Sequence, residues 1–281
     1  MSGQGPARVY IDGFNLYYGA LKGTGLRWLD LDAWCAIMLP QHQIDQILYC
    51  TARVTPRAGN PSVHVRQDAY LRALETLPKV RVLEGKFNAT TTRMLRVPLP
   101  TCDCCTKTRA ACACCHSATV KVVKTEEKGS DVNLAVELVR DGFLGRYDTA
   151  LVVSNDSDIQ PAVDIVRGEL GKRVIVADPR NRKYPALVGD ERRQVRAAAL
   201  GRAQLPGAVV DSEGRTITRP ARWQNEGPDP KGSGPAPSHR SGPGWYMQMY
   251  RDRQPRASEP RHGLVTSRRR PPRTLPLIAR V

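Results

Sequence analysis

Long hydrophobic runs are missing from this sequence of 281 residues. No apolar stretch approaches the roughly 18 residues that a membrane-spanning helix needs, and residues 1–8 lack the apolar centre of a signal peptide. We therefore expect a protein with no membrane segment that acts in the cytoplasm. No segment resembles a phosphate-cradling GxxxxGK motif or a dinucleotide-binding GxGxxG motif, which argues against an enzyme that uses a nucleotide cofactor.

Acidic residues are scarce relative to basic ones. The chain has 43 Lys and Arg against 27 Asp and Glu, which gives a net charge of +16. The hydrophobic fraction of 41% and the charged fraction of 25% are ordinary for a globular protein, so the excess of positive charge informs on partners rather than on fold. A surface of this sign attracts polyanions, and RNA is the partner that we expect first.

Short apolar runs and helical patterns alternate along the first two-thirds of the chain. Strands are predicted at residues 8–11, 46–50, 80–83, 150–153 and 173–176. Helices are predicted at residues 31–39, 63–77, 132–140, 159–170 and, from a weaker pattern, 191–200. This alternation predicts an α/β fold in which a mainly parallel sheet is covered by helices on both faces.

The composition divides the chain into a domain, an insertion and a tail. We predict a domain over residues 7–200, interrupted at residues 88–124 by a small Cys-rich insertion that contains a short apolar run at 120–123. Residues 201–281 are rich in Pro, Gly and Arg, and we expect most of them to be disordered because they hold too few apolar residues to offset the entropy of ordering. The basic residues at 251–273 could bind RNA phosphates, or the tail could be a solvated extension. Four aromatic residues of the tail are candidates for stacking on bases: Trp223, Trp245, Tyr246 and Tyr250.

Acidic residues follow the predicted strands, at the edge of the sheet where parallel α/β folds bind ligands. Asp12 follows the first strand, Asp156 and Asp158 follow the fourth, and Asp178 follows the last, while Asp131 lies at the start of a predicted helix. Carboxylates gathered at one edge raise one another's pKa unless a cation compensates them. Oxygen ligands select hard ions such as Mg²⁺ or Mn²⁺, which bind through one or two carboxylates and contact substrate phosphates. The pattern therefore predicts a metal site suited to phosphodiester hydrolysis.

Each acid also has a simpler interpretation. Asp131, Asp156 or Asp158 could cap the helix that follows it, since Asp is favoured at N-caps. Asp12 precedes a glycine, and Asp-Gly is a common turn pair. Their joint placement at strand ends favours the metal site over a set of unrelated caps.

Three separate motifs carry these acids. They are Tyr10-Ile11-Asp12-Gly13-Phe14-Asn15-Leu16, Glu127-Lys128-Gly129-Ser130-Asp131-Val132-Asn133-Leu134-Ala135 and Val152-Val153-Ser154-Asn155-Asp156-Ser157-Asp158-Ile159, followed by Gly171-Lys172-Arg173-Val174. In this order they resemble the NYN domain, the LabA-like branch of the PIN-like nucleases. The resemblance covers approximately residues 9–178.

The resemblance implies a three-layer α/β/α, PIN-like (Rossmann-like) fold and a metal-dependent ribonuclease. The four acids at the matching motif positions become the catalytic and metal-binding residues: Asp12, Asp131, Asp156 and Asp158. We expect Asp12 and Asp156 to lie nearest the Mg²⁺ or Mn²⁺ ion. Three further residues are candidates around the substrate: Asn15, which accompanies the first acid, Ser154, which shapes its turn, and Lys128, which either contacts the scissile phosphate or is simply solvated.

Six of the eight cysteines crowd between residues 102 and 115. Two CxxC pairs, Cys102 with Cys105 and Cys112 with Cys115, are separated by six residues. Four thiolates suit a closed structural Zn²⁺ site, which would fold a lobe too small to have a core of its own. We therefore expect a structural zinc ion in the insertion.

Other uses of these cysteines stay open. Cys104, Cys114 or His116 could replace any of the four ligands, and a redox switch or a disulfide pair is an alternative to zinc. Cys35 and Cys50 lie within apolar segments and are expected to be buried core thiols.

These features together predict a divalent-metal-dependent ribonuclease, in particular an endonuclease acting on RNA. The alternative from another class is a non-catalytic RNA-binding or regulatory module with the same fold, and a third is a metal-dependent phosphatase or DNA nuclease. The sequence leaves open a homo-oligomer and protein partners that bind the tail.

Overall fold

The structure, a computed structural model, describes residues 5–56, 60–95 and 119–223. The predicted zinc ligands between residues 102 and 115 and the tail after residue 223 lie outside the described residues. None of the helices in the described ranges has the length and apolar character that spanning a bilayer requires.

Strands and helices alternate as the sequence predicts. The strands are β1 (Ala7–Asp12), β2 (Ile44–Ala52), β3 (Val80–Leu95), β4 (Thr119–Lys128), β5 (Thr149–Val153), β6 (Arg173–Asp178), β7 (Glu191–Gln194), β8 (Ala208–Val210) and β9 (Thr216–Thr218). The α-helices are α1 (Gly13–Leu16), α2 (Leu31–Met38), α3 (Val63–Glu75), α4 (Ser130–Phe143), α5 (Gln160–Gly168) and α6 (Ala197–Arg202). A π-helical turn (Tyr17–Leu21) follows α1, and 3₁₀ turns lie at Ser157–Ile159 and Ala221–Trp223.

Among the described residues, one sheet of seven strands has the order β4-β3-β2-β1-β5-β6-β7. Neighbouring strands run parallel except β3 and β4, which are antiparallel. From β1 the chain builds outward through β2 and β3, and it later builds in the opposite direction from β5 to β7. The order therefore reverses between β1 and β5, and the crevice at such a switch point is where open α/β sheets bind ligands.

Two apolar clusters cover the two faces of the sheet. Val9 of β1 packs in one cluster with Trp34 of α2, whereas the next residue, Tyr10, packs in the other with Leu138 of α4 and Val163 of α5. Strands buried on both faces appear in the sequence as nearly continuous apolar runs, as the run at residues 150–153 does. The three-layer α/β/α arrangement is confirmed, and so is the burial of Cys35 and Cys50.

The prediction of a helix over residues 191–200 is wrong in its first half. These residues begin with the short edge strand β7, and α6 starts only at Ala197. Glu191 binds the guanidinium groups of Arg173 and Arg193 at 2.6 and 2.7 Å. The open edge of β6 needs hydrogen-bonding partners for its backbone, and this requirement outweighs a weak helical pattern.

The two ends of the predicted Cys-rich insertion belong to an antiparallel two-stranded ribbon formed by β3 and β4. β3 continues far beyond the strand predicted at 80–83, and it pairs with β4 from Lys86–Lys128 to Leu95–Thr119. The short run at residues 120–123 belongs to this ribbon.

The packed domain reaches Trp223 rather than ending at residue 200. Strands β8 and β9 form a hairpin, and the Trp223 ring, 7% exposed, lies 6.3 Å from Trp28 and 6.1 Å from Tyr70 between ring centroids. The expectation that Trp223 stacks on RNA bases is therefore wrong, because the ring completes the core. Residues 201–223 contain only short apolar runs, so their packing depends on contacts that a local pattern does not reveal.

Candidate functional site

Asp12 lies at the end of β1, at the switch point of the sheet. Its side chain is 7% exposed and caps α1, because Oδ1 accepts a hydrogen bond from the backbone N of Asn15 at 2.9 Å. Its other oxygen, Oδ2, accepts from Asn15 Nδ2 at 2.6 Å. Asn15 thus fixes both oxygens of the carboxylate.

Ser154 connects Asp12 to the turn after β5. Its buried hydroxyl donates to Asp12 Oδ2 at 3.1 Å and accepts from the backbone N of Asp156, also at 3.1 Å. The structure therefore brings four of the predicted site residues together across the β1–β5 crevice: Asp12, Asn15, Ser154 and Asp156.

The electrostatics of this site are unfavourable without a cation. The pKa of Asp12 is raised to about 6, mainly by burial; hydrogen bonds from Asn15 and Ser154 oppose the rise, and the negative charge of Asp156 adds to it. Asp12 forms no ion pair within the described residues. A desolvated carboxylate beside a second carboxylate is an arrangement that a divalent ion stabilises, so the donor set fits a hard ion.

The two remaining acids occupy the first turns of helical segments. Asp158 is exposed, and its backbone N donates to Asp156 Oδ1 at 3.0 Å, so Asp156 caps the 3₁₀ turn. Asp131 lies in the first turn of α4 and accepts from the backbone N of Val132 at 2.9 Å. The N-cap of α4 is Gly129, whose φ of 94° is in the left-handed region that favours glycine. Some acids thus act as caps, as the simpler interpretation holds, and capping leaves oxygens able to bind an ion.

Within the ranges that the structure describes, no group of three or more His, Cys, Asp or Glu is close enough to hold a metal. Mg²⁺ commonly binds through one or two carboxylates and keeps several waters, so two acids are sufficient. We name the pair at the crevice the Asp12–Asp156 site. The roles predicted for Asp131 and Asp158 as further ligands, and for the exposed Lys128 at the end of β4 as a phosphate contact, stay predictions.

Asn155, at this edge of the sheet, has a role that the sequence does not reveal. Asn155 is buried between Ser154 and Asp156, and its Oδ1 accepts from the backbone N of Ala186 at 2.7 Å. The Nδ2 of Asn155 is also buried and has no protein hydrogen-bond partner in the described part of the chain. In the sequence, the one indication of this role is an Asn two residues after the buried strand β5.

Asp178, the acid after the last predicted strand, holds a loop. Its side chain is fully buried, and its two oxygens accept from the backbone N of Arg180 at 2.9 Å and of Arg182 at 3.0 Å. Both oxygens are therefore engaged by the β6–β7 connection.

Part of this domain matches a known family model. Residues 107–187 match the family model of the NYN domain, a range that contains Asp131, Asp156 and Asp158. The match supports an NYN domain in this chain and, with it, a nuclease-like fold.

Two individual proteins are similar to the chain. The 6-hydroxy-3-succinoylpyridine 3-monooxygenase of Pseudomonas putida is 29% identical over 251 residues, which cover 78% of this chain and 75% of that protein. The crystal structure of a protein of unknown function from Vibrio parahaemolyticus is 14% identical, with a TM-score of 0.41 over 70% of this chain and 96% of that chain.

Proposed function

We propose that this chain is a divalent-metal-dependent ribonuclease of the LabA-like branch, an endonuclease that hydrolyses RNA phosphodiester bonds at the Asp12–Asp156 site. The observation that carries the proposal is the buried Asp12 carboxylate, which lies beside Asp156 without a cationic partner in the described residues. The NYN match and the net charge of +16 support a nuclease that acts on a polyanion.

The residues of the site have distinct roles in this proposal. Asp12 and Asp156 would hold Mg²⁺ or Mn²⁺, with Asp131 and Asp158 as further ligands. When bound, such an ion would supply Lewis acidity toward the phosphate and would lower the pKa of a water molecule. Asn15 fixes the orientation of the Asp12 carboxylate, and both of its contacts lie within 2.9 Å.

The direct test is RNA cleavage with and without a divalent ion. The purified protein should degrade RNA when Mg²⁺ or Mn²⁺ is added and should stop when a chelator removes it. Asp156→Asn should lose cleavage while still binding RNA. Asp164→Asn is a matched control, because it makes the same change at an exposed residue of α5. Metal-independent degradation, or an Asp156→Asn protein as active as its parent, would contradict the proposal, and RNA binding without cleavage by the parent would favour the non-catalytic module.

A second candidate function is hydroxylation of a substituted pyridine, and the similarity to the Pseudomonas putida monooxygenase favours it. A monooxygenase inserts one atom of dioxygen into its substrate and reduces the other to water with two electrons from a donor. If the ribonuclease proposal is correct, the protein should consume no oxygen in response to 6-hydroxy-3-succinoylpyridine, even when a reduced nicotinamide cofactor is present as the electron donor. If the parent and the control variant Asp164→Asn both consume oxygen in proportion to the substrate converted, the chain is an oxygenase instead.

We also propose a structural Zn²⁺ ion held by the two CxxC pairs of the insertion: Cys102, Cys105, Cys112 and Cys115. Elemental analysis of protein purified without chelators should find about one zinc per chain. A preparation without zinc would contradict this assignment but not the carboxylate site.

A further inference from the structure

A basic loop leaves the sheet next to the candidate site. Residues 179–184, with the sequence Pro-Arg-Asn-Arg-Lys-Tyr, follow β6 at the same edge as Asp12 and Asp156. We call these residues the 179–184 loop.

Polar contacts hold the backbone of this loop in one conformation. Besides the two bonds to the Asp178 carboxylate, the side chain of Asn181 donates to the backbone O of Val195 at 2.7 Å and accepts from its N at 2.9 Å. Asn181 has a φ of 49°, a conformation that Asn adopts more readily than most residues. The side chains of the loop are therefore presented from a fixed backbone.

Two further contacts connect this region to the segments that carry Asp12 and Asp156. One is made by the loop itself and the other by the residues that follow it. Ala186 donates to Asn155, which precedes the second acid of the site. On the other side, Gly19 of the π-helical turn packs against the loop, since a Cβ added there would lie 2.6 Å from Pro179 Cβ and 3.2 Å from Arg180 Cγ. The loop thus contacts the segment after β1, and its connection contacts the segment after β5.

The cations of this loop lack ion-pair partners among the described residues, although the buried Asp178 carboxylate interacts electrostatically with Arg180. Arg180, Arg182 and Lys183 form no ion pair within residues 5–56, 60–95 and 119–223. The neighbouring acids Asp190 and Glu191 are already paired with other arginines, at 2.6 to 2.7 Å. Three positive charges next to a carboxylate site are arranged to receive an external anion.

The last residue of the loop is an aromatic residue that is exposed to solvent. Tyr184 is 79% exposed, and Lys183 Nζ lies 5.3 Å from its ring centroid. A single exposed aromatic residue is unremarkable by itself. An aromatic face beside unpaired cations, however, is the combination that binds single-stranded nucleic acid, in which phosphates and unstacked bases alternate.

We propose that the 179–184 loop binds a single-stranded segment of RNA next to the Asp12–Asp156 site, an inference that rests on the proposed ribonuclease function. The three cations of the loop contact phosphates on the RNA backbone. The Tyr184 ring stacks on a base and so places the strand across the site.

The first test removes charge from the loop. Fluorescence anisotropy with a labelled, unstructured RNA oligonucleotide measures the Kd of the full chain carrying Asp156→Asn, which prevents turnover. Arg180→Gln with Arg182→Gln should weaken binding about 10-fold and lower the slope of log K against log salt by about 1.4, because each phosphate contact to a single strand contributes about 0.7. Lys172→Gln with Arg173→Gln removes the same charge at the opposite end of β6 and should change Kd by less than about twofold.

The second test removes the ring. Tyr184→Ala should weaken RNA binding roughly 5- to 10-fold, as expected for the loss of one base stack, whereas Tyr184→Phe should restore it. Phe143→Ala is the matched control, because Phe143 is 78% exposed and ends α4, about 20 Å along the helix from its first turn.

These measurements separate the loop from the proposed function. If the parent cleaves RNA but both loop variants bind it as tightly as their controls, the loop assignment is overturned and the ribonuclease stands. If the parent cleaves nothing while the loop variants still lose RNA binding, the loop assignment stands and the ribonuclease fails. Loss of binding to a matched single-stranded DNA without loss of RNA binding would also overturn the loop assignment.

Discussion

Two buried aspartates, one near each end of strand β1, have opposite electrostatic environments. Asp141 of α4 is 1% exposed and accepts hydrogen bonds from Arg8 Nη1 at 2.8 Å, Tyr10 Oη at 2.9 Å and Arg146 Nη1 at 2.9 Å. Burial alone would raise the pKa of Asp141, but the bonds from Arg8, Tyr10 and Arg146 together outweigh it and lower the pKa. Asp12, by contrast, receives only neutral donors, and burial raises its pKa to about 6.

The difference is consistent with a structural role for Asp141 and with the ligand-binding role proposed for Asp12. At the amino end of β1, two guanidinium groups compensate Asp141, so the protein itself satisfies this charge. At the carboxyl end of the same strand, Asp12 lies beside Asp156, and a bound cation would make the burial of this carboxylate more favourable. A buried charge without a cationic partner reduces stability, and such groups are candidates for a functional role.

The largest expected effect concerns catalysis and separates the two aspartates completely. Asp12→Asn should lower the rate of metal-dependent RNA cleavage by roughly 10³-fold, because losing a ligand to the ion removes several kcal/mol of transition-state stabilisation. Asp141→Asn should leave the rate per folded molecule within about threefold of the parent. Initial rates on one RNA, normalised to the folded fraction, provide the measurement, and equal losses in both variants would break the comparison.

The next largest effect concerns stability. Asp141→Asn should lower the free energy of unfolding by about 3 kcal/mol, because Arg8, whose side chain is 11% exposed, then keeps only the exposed Asp45 as an ion-pair partner. Urea denaturation at pH 7.5 gives this free energy. Asp148→Asn is the control, since its 58% exposed carboxylate pairs with Lys172 at the surface and should contribute less than about 1 kcal/mol. Similar losses in the two variants would show that burial of the Asp141 pair is irrelevant.

The sequence predicts one of these aspartates and misses the other for a physical reason. Asp12 directly follows an apolar strand, and the topology of parallel sheets places every such position at one edge, so local pattern and general rules are sufficient. Asp141 looks like an ordinary acid within a helix, because its partner Arg8 is 133 residues away in the chain. Asp178 follows a strand just as Asp12 does, yet its oxygens hold backbone N–H groups of the next loop. Strand ends are predictable from sequence, but the partners that each side chain meets there depend on packing.

The pH dependence of stability should have opposite signs at the two ends. The pKa of Asp12 in the folded protein, about 6, lies above its ordinary value of 3.8, so the folded state binds this proton more tightly than the unfolded state does. The contribution of Asp12 to stability is therefore fully present below about pH 4, is lost as the pH rises toward 6, and amounts to roughly 3 kcal/mol at most. The contribution of Asp141, whose pKa is lowered, is present above 3.8 and is lost at more acidic pH, outside this window.

Asp12→Asn isolates this effect. Without divalent ions, the variant should be about 1 to 2 kcal/mol more stable than the parent at pH 7.5 and should show no such advantage at pH 4.5, because the parent carboxyl is then mostly protonated. The gain falls short of the maximum because the new amide group faces Asn15 Nδ2, which donates to Asp12 Oδ2 at 2.6 Å in the parent. Urea midpoints at the two pH values measure the difference, and a variant that is destabilised equally at both would show that the Asp12 charge is not strained.

The smallest effect tests whether a divalent ion offsets the cost of burying the Asp12 charge. Mg²⁺ at about five times its Kd should stabilise the parent by roughly 1 kcal/mol, because an ion that binds only the folded state adds RT ln(1 + [L]/Kd). The thermal midpoint should rise with Mg²⁺ in the parent and in Asp141→Asn, but not in Asp12→Asn, when Na⁺ maintains a constant ionic strength. The rise should also shrink at pH 5, where protons compete for the Asp12 carboxylate. An equal rise in Asp12→Asn would place the ion elsewhere, and the two buried aspartates would then differ in electrostatics without differing in function.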